Sequence, residues 1–226
     1  MPLLAAGLIA AAAALLVTLY VAGHPFIPED AVLERDVQAT QWGPLALTFP
    51  VFSWIGDAKG FVAELAMFIA ILVFNRRAWL VAFGAAGSAA WYIGLSHAVL
   101  RPRPTTAQVL QVTEHPGASS FPSGHTIFIC TIVVVIVVCL GYRFVRGWGR
   151  VAAWIVGGLV IAANAIGRMY TGAHWPSDVL AALLIAAAWL CLWLSIGPIY
   201  ARVATSRPSA ARPVAPPLAR RQPSSP

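Results

Sequence analysis

Apolar residues do not alternate with polar ones along this chain; they run on. Six stretches are almost free of charge: Leu3 to Val21, Phe61 to Phe74, Trp79 to Leu100, Thr126 to Tyr142, Val151 to Gly167 and Val179 to Ile199. A helix needs roughly 20 mostly apolar residues to cross a bilayer, and its backbone must satisfy its own hydrogen bonds there. The pattern therefore predicts an all-α fold, an integral membrane bundle of about six transmembrane helices, of which the second is the shortest. Gly84, Ala85, Gly87, Ala89, Gly94, Gly157 and Gly158 are small enough to let those helices approach closely.

The segments between the runs differ in kind. Residues 23–59 set Glu29, Asp30, Glu34, Arg35, Asp36, Asp57 and Lys59 among Trp42, Phe49, Phe52 and Trp54, which predicts a short interfacial helix followed by an aromatic-rich loop. That loop reads as an anchor at the headgroups before it reads as a grip on substrate. From Ala204 onward Pro, Ser, Ala and Arg dominate without period, predicting one membrane domain over 1–203 and a disordered tail over 204–226.

Composition sharpens the picture. With 226 residues, 59% hydrophobic, 10% charged and a mean hydropathy of +0.77, the chain lies outside the range of an ordinary soluble domain. Its net charge of +7 does not mark a nucleic-acid binder, because ten of the fifteen cationic residues fall in three segments, at Arg76 and Arg77, at Arg143, Arg146 and Arg150, and at Arg202, Arg207, Arg212, Arg220 and Arg221 near the C-terminal end. Six alternating spans put these segments on one side, which the positive-inside rule makes cytoplasmic. Both termini are then cytoplasmic, in a multi-pass protein of the plasma membrane. Val21, Ala22 and Gly23 would suit a cleaved signal peptide, but the run before them is long and lacks a basic start, so it is read as retained. Cys130, Cys139 and Cys191 all lie within spans as small apolar fillers, and no disulfide or metal motif is visible.

Three polar segments remain, and six spans bring all of them to the opposite, extracytoplasmic side. Arg101-Pro102-Arg103-Pro104 ends the third span, Phe121-Pro122-Ser123-Gly124-His125 opens the fourth, and Arg168 to Asp178 joins the fifth to the sixth. Arginine forks match phosphate oxygens bidentately, and Ser123 with the amides at Gly124 and His125 stands at a helix N-terminus, which favours an anion. His174 precedes Asp178 by about one helical turn, so a carboxylate there would fix the imidazole tautomer and leave the other nitrogen as a nucleophile. His125 is then the candidate for protonating the departing oxygen. His24 and His115 have no such partners and read as solvated. Glu64, inside the second span, is expected to find a polar partner in the bundle or to reach outward.

With these motifs the chain resembles the type 2 phosphatidic acid phosphatase family, membrane lipid phosphatases whose signature reads KxxxxxxRP, PSGH and SRxxxxxHxxxD. The second motif is complete in Pro122-Ser123-Gly124-His125; the third keeps Arg168, His174 and Asp178 but begins with Gly167; the first ends on Arg103-Pro104 but has Ser96 where the lysine belongs. The resemblance covers about Phe61 to Ile199. It implies a phosphoenzyme on His174, acid catalysis by His125, and phosphate clamping by Arg103 with Arg168. Arg101 offers itself as a cation in place of the missing lysine. Lys59, the chain's only lysine, and His97 have no assignable role.

The function expected is a metal-independent, cofactor-free phosphatase acting on a lipid phosphate or diphosphate, with membrane lipids as its other partners. Polyprenyl diphosphate stands ahead of phosphatidic acid and phosphatidylglycerol phosphate. A phosphotransferase shares the first half-reaction. The missing lysine and Gly167 favour a third reading, a catalytically impaired lipid-phosphate binding or transport protein.

Overall fold

The computed structural model describes residues 2–56, 60–114 and 117–205. His115, Lys59 and the tail beyond residue 205 therefore lie outside the described residues. Eleven α-helices are described: α1 (Pro2–Gly23), α2 (Pro28–Ala39), α3 (Phe49–Gly56), α4 (Gly60–Asn75), α5 (Trp79–Ala85), α6 (Ser88–Ala98), α7 (Gly124–Val135), α8 (Tyr142–Phe144), α9 (Trp148–Tyr170), α10 (Pro176–Ser195) and α11 (Gly197–Thr205). A 3₁₀ turn over Gly43–Thr48 leads into α3, and a π-helical segment over Ile136–Gly141 links α7 to α8. No strand occurs among the described residues.

Five continuous helical stretches are long and apolar enough to cross a membrane, and one of them, Val62–Ala98, has 37 residues. It makes two passes. Asn75 leaves helical geometry at φ −152° and ψ 60°, and the 3₁₀ turn Arg76–Ala78 reverses the chain. The α4 limb starts beside Phe128 near the beginning of α7 and ends where Asn75 Nδ2 donates to Cys139 O at 2.6 Å. The α5–α6 limb climbs back past Trp193 and Trp189 of α10 to Tyr92, which lies on Gly124. The bundle therefore has six passes, as the apolar runs predict. The second and third are separated by only a tight turn.

Packing explains several of the small residues. At Gly84 an added Cβ would stand 2.0 Å from the Trp193 indole, so that crossing exists only because residue 84 lacks a side chain. Gly157 likewise faces Val133 at 2.6 Å. Gly94 and Gly158 meet nothing within 4 Å and have no such role. The central helices α7 and α10 are the most buried spans. Leu8, Ile9, Leu16, Val73, Phe83 and Leu159 face outward, an apolar belt that suits a lipid solvent.

The segment between α1 and α4 forms helices, and part of each is packed into the protein. Asp30, Ala31 and Glu34 of α2 are buried, and Phe49 of α3 is fully buried between Trp42 and Tyr170. The sixth run also ends earlier than predicted, at Ser195, because the chain breaks at Ile196 before α11.

Candidate active site

The three motifs meet at one end of the bundle. The loop over 99–123 is stitched there by main-chain bonds, Ser120 N to Arg101 O at 2.9 Å and Thr113 N to Thr171 O at 2.9 Å. The amide of Ser123 donates to Asp178 O at 3.3 Å, tying the start of α7 to the start of α10.

His174 lies in the short connection before α10 and is 2% exposed. Its Nδ1 is 2.7 Å from the carbonyl oxygen of Ser120. A carbonyl can only accept, so Nδ1 carries the proton and Nε2 keeps its lone pair. On that side Arg103 Nη1 stands 3.5 Å from Nε2. The His174 pKa is held well below its usual value, first by burial, then by the Arg168 and Arg103 charges, with the Ser120 carbonyl acting in the opposite sense. The ring is thus a neutral nucleophile-type imidazole at ordinary pH.

Asp178 does not stand in the place expected of it. Its Oδ2 is 4.0 Å from His174 Nδ1 and instead accepts from the Trp175 amide at 2.9 Å, capping α10, while Oδ1 accepts from Arg101 at 2.5 Å. The tautomer is fixed by the Ser120 carbonyl, and Asp178 shapes the turn that carries the histidine. Arg101 differs from expectation too. It is 1% exposed, and its guanidinium donates to Asp178, to Asp30 Oδ2 at 2.7 Å, to Ser177 Oγ at 2.7 Å and to Pro25 O at 2.9 Å. With two carboxylates on it, this fork is not offered to a phosphate; it holds α2 against α10.

Arg103 is better placed. Its fork is oriented by the carbonyls of Gly117, Ser119 and Ala173 at 2.9, 2.6 and 2.5 Å, which fix the guanidinium without neutralising it. Burial lowers its pKa, opposed by Asp178 and Tyr92, and an arginine so far above neutrality stays charged. Arg168 is buried on α9 and donates from Nη1 to Ser53 Oγ at 2.5 Å, while Nη2 pairs with Glu114 at 2.8 Å. His125, in the first turn of α7, has Nε2 3.3 Å from Ser53 O. The Ser123 hydroxyl turns inward and accepts from Thr126 Oγ1 at 3.0 Å, making no side-chain cap on α7. What Ser123 and Gly124 present at the helix start is main chain, the group that suits an anion.

Ser53 and Glu114 are the residues that the motifs do not reveal. Ser53 touches both Arg168 and His125, and its hydroxyl donates to Glu114 Oε1 at 2.5 Å. The carboxylate of Glu114 therefore sits on the Arg168 guanidinium. No spacing in the sequence connects a serine of α3 to motifs more than 70 residues away.

The arrangement can bind a phosphoryl group between two arginines, attack it from Nε2 of His174 and supply a second imidazole. Residues 77–200 match the family model described as the PAP2 superfamily. The bacitracin transport permease protein BcrC of Bacillus licheniformis is 31% identical over 106 residues, and the matched region spans 47% of each chain, about half the length of that relative. The crystal structure of a transmembrane PAP2-type phosphatidylglycerolphosphate phosphatase from Bacillus subtilis aligns with a TM-score of 0.68 at 16% identity, over 84% of this chain and 94% of that one. Aquifex aeolicus LpxE aligns at 0.56 and 21% identity, over 72% and 93%. At such identities the two structures speak for the fold. On the family match and the motifs that carry it, this chain belongs to the PAP2 superfamily, the type 2 phosphatidic acid phosphatases, as an integral membrane protein.

Proposed function

We propose that the protein is a membrane lipid phosphatase working through a phosphohistidine on His174. The observation that carries this is the forced tautomer: Nδ1 is committed to Ser120, and the Nε2 lone pair faces the Arg103 fork. In the first half-reaction Nε2 bonds to phosphorus as the bond from phosphorus to the lipid oxygen breaks, and His125 donates its proton to that oxygen. In the second, water attacks the phosphohistidine, His125 takes a proton from the water, and inorganic phosphate leaves with His174 restored. Arg103 and Arg168 meet the charge developing on the equatorial oxygens.

Positive charge from the arginines does what a metal would otherwise do, so turnover is expected without a divalent cation. The site faces the extracytoplasmic side, given the basic segments around Arg76 and Arg146 at the other end. Polyprenyl diphosphate is the first substrate to try, ahead of phosphatidic acid and phosphatidylglycerol phosphate. Release of phosphate from each, by protein in detergent with EDTA, ranks them. Loss of release on adding EDTA would remove the metal-free reading.

The BcrC relative, named as a transport permease, favours a second reading in which lipid phosphate is bound or moved and not cleaved. That reading requires binding of the same lipids with no phosphate released, and equal silence from His174→Ala. Added alcohols that divert phosphate from water into a new ester would instead identify a transferase.

A further inference from the structure

The lysine of the first motif is missing, and none of the groups near its position replaces it. The Ser96 hydroxyl turns back on its own helix to Ile93 O at 3.0 Å, His97 Nδ1 lies on the same oxygen at 2.7 Å, and Arg101 is taken by Asp30 and Asp178. The register of α6 shows what stands at the site instead.

Ser88, Tyr92 and Ser96 are spaced by four and lie on one helical face. Ser88 Oγ bonds Thr131 Oγ1 of α7 at 2.8 Å. One turn further toward the site, the Tyr92 ring lies on Gly124, the first residue of α7: a Cβ added there would be 2.8 Å from Cε2 and 3.0 Å from Cζ. The face therefore tracks α7 to its N-terminus, and position 96 is one turn beyond, over the anion cradle. A lysine at that position would extend well beyond the reach of a serine. Tyr92 is at the cradle's edge, with the hydroxyl-bearing carbon nearly the closest part of the ring to Gly124. The residue is 39% exposed, and its hydroxyl makes no hydrogen bond to another described residue. Only glycine at 124 admits the ring so close to the backbone.

We propose that Tyr92 is a substrate-contacting residue whose phenol donates a hydrogen bond to a phosphoryl oxygen, in the place where the family pattern puts a lysine at position 96. The proposal deepens the phosphatase reading and rests on it. A neutral donor orients the phosphoryl group through geometry and adds no positive charge, so the site binds with one cation fewer than the family pattern and relies on Arg103 and Arg168 for charge.

The test uses full-length protein in detergent as wild type, Tyr92→Phe, Ser96→Lys, the double variant and His174→Ala. Turnover of the best substrate among polyprenyl diphosphate, phosphatidic acid and phosphatidylglycerol phosphate, and binding of orthovanadate followed by thermal shift, are both measured. Tyr92→Phe removes one hydrogen bond to a charged group and should cut kcat/KM and weaken vanadate binding by about 10- to 100-fold, with the unliganded melting temperature within about 2 °C. Adding Ser96→Lys to Tyr92→Phe should recover at least about tenfold of each. Values for Tyr92→Phe within twofold of wild type would overturn the proposal, and so would a loss that lysine at 96 leaves unrepaired. If wild type releases no more phosphate than His174→Ala, the phosphatase reading fails, and the vanadate series still decides whether Tyr92 contacts a phosphate-like anion.

Discussion

A main-chain carbonyl sets the tautomer of His174, the proposed nucleophile. Because Ser120 O accepts from Nδ1 of His174, the attacking nitrogen is set without a carboxylate, and burial beside two arginines keeps the ring neutral below the usual imidazole range. The active form of a nucleophile is the unprotonated one, so the acid limb of kcat/KM that belongs to His174 should lie below about pH 6.5. The same depressed pKa has a stability consequence. Below the unfolded value the unfolded chain binds a proton that the folded one refuses, so thermal stability should fall as pH drops through about 6.5 toward the folded pKa. Glu114 invites a different test. Its carboxylate occupies Arg168, so Glu114→Gln should lower KM and strengthen vanadate inhibition by about 3- to 10-fold with kcat within about twofold; a weaker inhibitor would show that the carboxylate serves the substrate. His125, His174, Arg103 and Arg168 are legible because their spacing is local and fixed. Ser53 and Glu114 are not, since 61 residues separate partners that meet only in the fold. Asp178 and Arg101 show the other limit: sequence places charged groups near one another but cannot say which oxygen each side chain takes.

At the scale of the element, α2 is the informative case. Twelve residues of mixed character read as an interfacial helix because an apolar stripe fits a headgroup layer and a protein surface equally well. What pins it to protein is polar. Asp30 accepts from Arg101 and from both the amide and hydroxyl of Ser177 at 2.7, 3.0 and 2.5 Å, and Gln38 donates to Gln111 O at 2.9 Å while accepting from the Leu110 amide at 2.8 Å. Between them Glu34 is fully buried, and its carboxyl has no hydrogen-bond partner among the described residues. Burial, then Asp178 and Asp30, push its pKa up to about 9 against the opposing Arg101 charge. A raised carboxyl pKa costs stability as pH rises above the unfolded value of 4.5 and is most costly above the folded value near 9. Glu34→Gln should therefore raise the melting temperature at pH 7.5 by at least about 2 °C. Asp30→Ala, which leaves buried Arg101 short of a partner, should cost about 3–5 kcal/mol and lower the melting temperature by roughly 10 °C. The opposite ordering of the two variants would mean that α2 is not held by this cluster.

The whole molecule follows from a few coarse features. Six apolar runs predict six passes, and the chain has them, though the second and third join through a turn so tight that they form one helical stretch of 37 residues. The run lengths were legible because hydrocarbon thickness sets them. The packing of α3 under Trp42 and Tyr170 was not, because aromatic residues serve an interface and a core alike. The motif loops gather at one end because spans of this length must alternate, and that gathering builds the proposed phosphoryl site out of segments from three parts of the chain. The central claim is covalent, a phosphate carried on His174, and it is best tested by trapping. Purified protein mixed with the best substrate from the panel should be quenched at early times under alkaline conditions, which preserve phosphohistidine, and mapped by mass spectrometry. The structure predicts phosphate on His174 in wild type and none in His174→Ala, together with loss of phosphate release. Phosphate release by His174→Ala at the wild-type rate would contradict it.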